Sequence, residues 1–309
     1  MPVDTVTLAL LGPTASGKSA LAVELAVHLT AHGRPAEIVN ADSMLVYRGM
    51  DIGTAKPTLE ERRGIPHHLV DILDVTETAT VADFQGLARA AIASCRERGV
   101  VPIVVGGSAL YLRAILDEFS FPGTDPAVRA ALEAELEALG PRVLYERLVA
   151  LAPEAAAHME PMNGRRAVRA LEVVALTGSY KSTLPEHEYA LPGVVQVGLE
   201  IDRPVMDARI ATRVDDMWAR GLAAEVERLA VHGLRDGVTA SRALGYSQAL
   251  AYLDGECSEE QARTDTAAGT RRFARRQLGW WRRDPRITWV DALALPKLPD
   301  LVSLVDSRL

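Results

Sequence analysis

The chain has 309 residues, with 34 Lys and Arg against 41 Asp and Glu and a formal net charge of −7. Hydrophobic residues make up 48% and charged residues 24%, which excludes a largely disordered chain and leaves ample material for a core. No apolar run reaches the roughly 18 residues of a membrane span, no basic leader opens the chain, and the two cysteines, Cys95 and Cys257, stand far apart; this excludes a disulfide scaffold and a cysteine zinc site and fits a reducing cytoplasm.

Residues 5–11 form an apolar, β-branched run that stops at Gly12-Pro13 and reads as a buried strand. Residues 19–29 repeat apolar side chains at Leu21, Leu25 and Leu29, the spacing of a helix, closed by Gly33. A second strand begins at 37–39, a helix follows over 81–98, and 100–105 is a third strand ending in Gly106-Gly107. Between 121 and 192 the character changes: 126–139, 143–151 and 166–176 are helical and no β-branched run interrupts them. Strand character returns at 194–201, a helical pattern runs from 206 to 283, and a last apolar segment covers 287–290. Strands alternating with helices predict a parallel, doubly wound α/β sheet.

The strongest local motif is Gly12-Pro13-Thr14-Ala15-Ser16-Gly17-Lys18-Ser19, of the form G-x-x-x-x-G-K-[ST], placed between an expected strand and an expected helix. Glycines let successive backbone N–H groups turn inward, the helix N-terminus adds partial positive charge, Lys18 adds a full one, and Ser19 can ligate Mg²⁺. The result is a cradle for a di- or triphosphate. The fold class is therefore read as α/β, a P-loop NTPase-like parallel-sheet core over 1–120 and 193–309 with a helical insertion domain over 121–192. A phosphotransferase would close a buried strand with a metal-holding acid. Here 100–105 ends in Gly106-Gly107-Ser108, and Asp42, after the second strand, is the nearest carboxylate at a strand end.

The charge is uneven. Between Arg263 and Val290 eight arginines face two acids, a net of +6, so the rest of the chain carries −13. Net charge thus decides nothing about RNA. Arg242-Ala243-Leu244-Gly245-Tyr246 offers a guanidinium and an aromatic ring suited to phosphate contact and base stacking. Trp280 and Trp281 read as core packing, and His28 and His32 as exposed side chains rather than metal ligands.

The loop 12–19, the block Asp42-Ser43-Met44-Leu45-Val46-Tyr47-Arg48-Gly49-Met50-Asp51-Ile52-Gly53-Thr54-Ala55-Lys56-Pro57, then Pro66-His67-His68-Leu69, Val105-Gly106-Gly107-Ser108, the 166–172 helix, Leu244-Gly245-Tyr246 and Arg275-Arg276-Gln277 together resemble the tRNA dimethylallyltransferases, over nearly the whole chain and in the family's order. The resemblance implies transfer of a dimethylallyl group from dimethylallyl diphosphate to N6 of adenosine 37 in tRNA. It implies that Gly12 to Ser19 hold the diphosphate with Mg²⁺ at Ser19, that Lys18 and Arg213 stabilise the leaving group, and that Asp42 accepts the N6 proton. Thr14 and Ser108 are matched hydroxyl positions, Asp42, Ser43, Met44 and Val46 line the path of the flipped base, and Leu45 stands beside them at a tRNA-contact position where leucine makes no amide contact. The family usually carries glutamine where Leu45 stands and threonine where Ser108 stands. Arg129, Arg165, Arg166 and Arg169 in the insertion, with Arg242, Gly245 and Tyr246, are the implied tRNA contacts. A cytoplasmic monomer is expected, and the rival reading is a P-loop isopentenyltransferase or kinase acting on free nucleotides.

Overall fold

In a strand, neighbouring side chains point to opposite faces, so an unbroken apolar run must be covered on both sides. The computed structural model, which describes residues 6–78, 80–180, 186–293 and 302, bears this out for the first strand, β1 (Thr7–Leu11). Leu8 and Leu10 pack with Leu21, Leu25 and Leu29 of α1 (Lys18–Ala31). Ala9 and Leu11 join the opposite core, with Phe84 and Ile92 of α2 (Val81–Glu97) and Leu112. Thr5, where the strand was expected to begin, lies outside the described residues.

Four more strands follow: β2 (Ala36–Asn40), β3 (His67–His68), β4 (Val101–Gly106) and β5 (Val194–Glu200), and β6 (Thr288–Asp291) is last. They form one sheet in the order β3-β2-β4-β1-β5-β6, every neighbouring pair parallel. β1 sits between β4 and β5, so the chain passes to one side of β1 for β2 to β4 and to the other for β5 and β6. Ligand sites of such sheets form at the carboxyl ends of the strands beside this switch. The two-residue strand β3 was absent from the sequence reading: it is too short to show a period, and only its pairing with Ile38 and Val39 creates it.

The chain divides into two compact units, Met1–Asp117 with Tyr189–Leu309, and Glu118–Glu188. In the first, α3 (Ala109–Leu116) follows β4. In the second, α4 (Pro126–Leu139), α5 (Pro141–Leu151), α6 (Pro153–Ala156) and α7 (Gly164–Thr177) enclose Leu132, Leu144, Leu148, Val168 and Leu171. The first unit then continues with α8 (Arg203–Ala219), α9 (Leu222–Val231), α10 (Tyr246–Leu253) and α11 (Glu259–Trp281). Among the described residues no helix is long and apolar enough to cross a membrane.

Candidate active site

The carboxyl ends of β1, β4, β2 and β3 open into one cavity of about 520 Å³. Thr14, Lys18 and Ser19 line it after β1, and Gly106 and Ser108 after β4. Asn40 and Asp42 line it after β2, and His67 and Val70 around β3. Ile210, Arg213 and Met217 of α8 line another part, with Arg242, Leu244 and, from α11, Thr266, Thr270, Phe273, Arg276 and Gln277.

The phosphate loop has the geometry its sequence requires. Ala15 and Gly17 take left-handed φ values of 63° and 91°, and Gly12 lies so close to Leu199 and Ser16 that a Cβ there would come within 3.1 Å of both. Gly17 caps α1 without a side-chain hydrogen bond, so the first N–H groups of the helix have no intrahelical partner. The Lys18 ammonium donates to the Pro13 carbonyl at 3.3 Å. Burial lowers the pKa of Lys18 to about 8; the Asp42 carboxylate opposes that shift and the Arg213 guanidinium adds to it. Burial also lowers Arg213, again against Asp42. Arg213 donates to Thr14 Oγ1 at 3.5 Å and to the Thr54 carbonyl at 3.4 Å. The sequence-expected trio Lys18, Asp42 and Arg213 is thus electrostatically coupled within one cavity.

Asp42 is held by its own turn. Its N–H donates to Asn40 Oδ1 at 2.8 Å, and its Oδ1 accepts from the Met44 N–H at 2.9 Å. Asn40 is 2% exposed and donates to the carbonyls of Asp42 and Leu69, fixing the end of β2. Ser43 and Met44 line the cavity, and so does Leu45, as an apolar wall; Val46, expected on the path of the base, is instead fully buried in the core. Ser108 precedes α3 without making a side-chain cap bond.

Residues that sequence reasoning gave no role complete the site. Gln277, 6% exposed, accepts the Thr14 N–H at 3.0 Å, tying α11 to the phosphate loop across 263 positions. Its amide also explains Gly107, where an added Cβ would lie 2.5 Å from Gln277 Nε2. Glu225, 5% exposed, accepts from the N–H groups of Asp51, Ile52 and Gly53 and from the Tyr246 hydroxyl at 2.6 Å. Lys56, also buried, donates to the Tyr47 carbonyl, Asp51 and Asp71. Much of the 42–57 block therefore builds the wall that presents Thr54 and Ala55 to the cavity.

Four expected contacts need correction or restatement. Tyr246 is fully buried, its ring packs against Gly53, and burial with the Glu225 carboxylate pushes its phenol well above the ordinary range. It presents no face for base stacking. Gly245 is buried beside it at φ 91°, its N–H donating to Gln248. In the 118–188 unit, Arg129 and Arg169 reach the fully buried Glu172 at 2.6 and 2.8 Å, and Arg169 also donates to the carbonyls of Pro122 and Gly123. Burial works to raise Glu172, but these guanidinium bonds outweigh it and its carboxyl sits below the ordinary range. The two arginines hold that unit together, whereas Arg165 and Arg166 are exposed. Of the arginine-rich 263–286 segment, Arg263, Arg282 and Arg286 are engaged in ion pairs and Arg276 lines the cavity. Trp281 is core, but Trp280 is 45% exposed.

The family model for IPP transferase matches residues 45–284. A tRNA dimethylallyltransferase of Thermobifida fusca is 59% identical over 96% of this chain and 92% of its own length. The crystal structure of a tRNA isopentenylpyrophosphate transferase from Bacillus halodurans superposes with a TM-score of 0.71 at 39% identity, covering 98% of this chain and 96% of that one. A eukaryotic dimethylallyltransferase described as acting on tRNA superposes with a TM-score of 0.78 at 27% identity, covering 97% and 77%.

Proposed function

The chain belongs to the tRNA dimethylallyltransferase family, and from that premise we propose that it transfers a dimethylallyl group from dimethylallyl diphosphate to N6 of adenosine 37 in tRNA, releasing diphosphate. The observation that carries this reading is the single cavity that joins a phosphate loop to a carboxylate, with Lys18 and Arg213 coupled to both. An exocyclic adenine amine is a weak nucleophile because its lone pair is delocalised into the ring. As the N6–C1 bond forms and the C1–O bond to diphosphate breaks, the N6 proton passes to the Asp42 carboxylate. Negative charge grows on the leaving diphosphate, which faces Lys18, Arg213 and the N-terminal N–H groups of α1.

The Ser19 hydroxyl at the start of α1 and the Asp42 carboxylate are hard oxygen donors on the same cavity, a donor set that suits Mg²⁺. Ser19, with the diphosphate oxygens, would hold the ion, which when bound neutralises charge on the leaving group. Ser43, Met44, Leu45, Ser108 and Arg242 surround the flipped base, and the backbone at Gly245 supports that wall. Arg165 and Arg166 meet the anticodon arm, with Arg129 and Arg169 bracing their helix through Glu172. The enzyme works in the cytoplasm as a monomer. Incubation with labelled dimethylallyl diphosphate, Mg²⁺ and either unmodified tRNA or AMP tests the reading: label enters tRNA. Label in AMP alone would favour the rival that acts on free nucleotides, and label in neither would overturn the proposal.

A further inference from the structure

On the side of the sheet that packs against α2, three potential metal ligands from three elements converge. They are Glu37 of β2, His68 of β3 and Cys95 of α2, whose ligand atoms all lie within 4.8 Å of one another. Glu37 Oε2 lies 2.7 Å from His68 Nε2 and 3.4 Å from Cys95 Sγ, and Sγ lies 3.7 Å from Nε2. Tetrahedral zinc, with Zn–S near 2.3 Å and Zn–N and Zn–O near 2.0–2.2 Å, sets such ligand atoms roughly 3.3–3.6 Å apart. The three atoms already form close to one face of that tetrahedron, and only the Glu37–His68 edge must open. We propose that Glu37, His68 and Cys95 form a binding site for a thiophilic divalent cation, Zn²⁺, with water as the fourth ligand.

Two features of the surroundings bear on this. Arg98, at the end of α2, donates Nη1 to Glu37 Oε1 at 2.7 Å and Nη2 to Oε2 at 2.6 Å. A cation that takes Oε2 displaces the second bond and leaves the first, and the Arg98 side chain is 47% exposed, free to swing outward. Arg98 is thus a competitor for the site, one that holds the Glu37 carboxyl down at about 2. Cys95 is buried, and burial with the Glu37 carboxylate beside it pushes its thiol up to about 12. Metal binding therefore replaces the thiol proton, which leaves to solvent, and also displaces the proton that His68 Nε2 shares with Glu37 Oε2, so the metal-bound imidazole carries its proton on Nδ1. This departs from the sequence reading, which excluded a cysteine zinc site because Cys95 and Cys257 stand far apart; a site assembled from positions 37, 68 and 95 has no spacing to read. Its consequence is local. β3 is a two-residue edge strand whose other residue, His67, lines the active cavity, and the cation staples that strand to α2.

The test uses the full chain stripped of metal with a chelator and titrated with Co²⁺, whose thiolate charge-transfer and tetrahedral ligand-field bands report a sulfur-containing site. We expect one equivalent of Co²⁺ with a thiolate band, displaced by Zn²⁺, which binds such sites more tightly. Zn²⁺ raises the thermal midpoint of the parent protein. Cys95→Ser and His68→Gln each weaken binding at least tenfold, Cys257→Ser leaves it unchanged, and Arg98→Ala tightens it several-fold. Co²⁺ binding without a thiolate band, or a band that survives Cys95→Ser, overturns the proposal. Should Cys95→Ser fail to fold, the half-buried His68→Gln variant decides: undiminished affinity there overturns it equally.

Discussion

Removing the Glu225 carboxylate tests how the 42–57 block is held in place. One oxygen accepts from the Asp51 and Ile52 N–H groups at 3.2 and 2.9 Å, and the other accepts from the Gly53 N–H at 3.4 Å and the Tyr246 hydroxyl at 2.6 Å. Hydrogen bonds to a charged group contribute about 1.5–3 kcal/mol each, and a buried donor left unpaired costs about 1–3 kcal/mol. Glu225→Gln keeps one acceptor for the Asp51 and Ile52 pair and turns its NH₂ toward Tyr246, so it loses charge and the long Gly53 bond, about 2 kcal/mol. Glu225→Ala strands the two shorter N–H groups and the hydroxyl; with water entering the gap, the loss is about 4 kcal/mol. At about 2–4 °C per kcal/mol for a chain of this size, the midpoints fall by about 4–8 °C and 8–16 °C. Arg213 donates to the Thr54 carbonyl just beyond the clamped residues, so the Michaelis constant for the allylic diphosphate also rises in both variants. Calorimetry and denaturant titration measure the first effect, steady-state kinetics the second. A Glu225→Ala protein within 1 kcal/mol of the parent would refute the reasoning.

Asp42→Asn keeps an acceptor for the Met44 N–H but removes the base. Turnover falls by about 10²–10⁴ with tRNA affinity and thermal midpoint little changed, and unaltered turnover in single-turnover assays would remove Asp42 from the chemistry. Lys18, with a pKa of about 8 in the free protein, regains its full charge when a diphosphate binds beside it. Diphosphate binding therefore takes up a proton above pH 8, and affinity falls about tenfold between pH 7 and 9 in metal-free calorimetry; Lys18→Met removes that part of the slope, and parallel curves would contradict the assignment. At Gly106 an added Cβ would lie 2.5 Å from the Ala41 carbonyl oxygen. Gly106→Ala must then spread β2 from β4, and denaturant titration should show a loss of about 1–3 kcal/mol.

The phosphate loop was legible because its meaning is local: eight consecutive residues between a strand and a helix determine both the backbone turns and the chemistry. The central strands β1 and β4 were legible for the same reason, since burial on both faces writes continuous apolar runs, whereas the two-residue edge strand β3 was not. Tyr246 was misread because its surroundings come from elsewhere in the chain; Gly53 makes room for its ring and Glu225 takes its hydroxyl. Glu225 itself sits on an ordinary amphipathic helix, 172 to 174 positions from the N–H groups it satisfies, and nothing in its neighbourhood marks it. Arg129 shares this difficulty, because its partner Glu172 lies 43 positions away, and a guanidinium looks the same in sequence whether it meets a phosphate or a buried carboxylate. Position placed Asp42 near the cradle, since a carboxylate just past a parallel strand faces the edge where ligands bind, but its role as proton acceptor came only from the family resemblance.

The central claim is that the phosphate cradle and Asp42 serve one prenyl transfer to tRNA. Its most direct test incubates the protein with dimethylallyl diphosphate, Mg²⁺ and unmodified tRNA, digests the product and weighs the nucleosides. In parallel, a tRNA with another base in place of adenosine 37 is treated identically. The account predicts an adenosine heavier by one dimethylallyl group from the first tRNA and none from the second. Unmodified nucleosides from both, or the same modified adenosine from both, would contradict it.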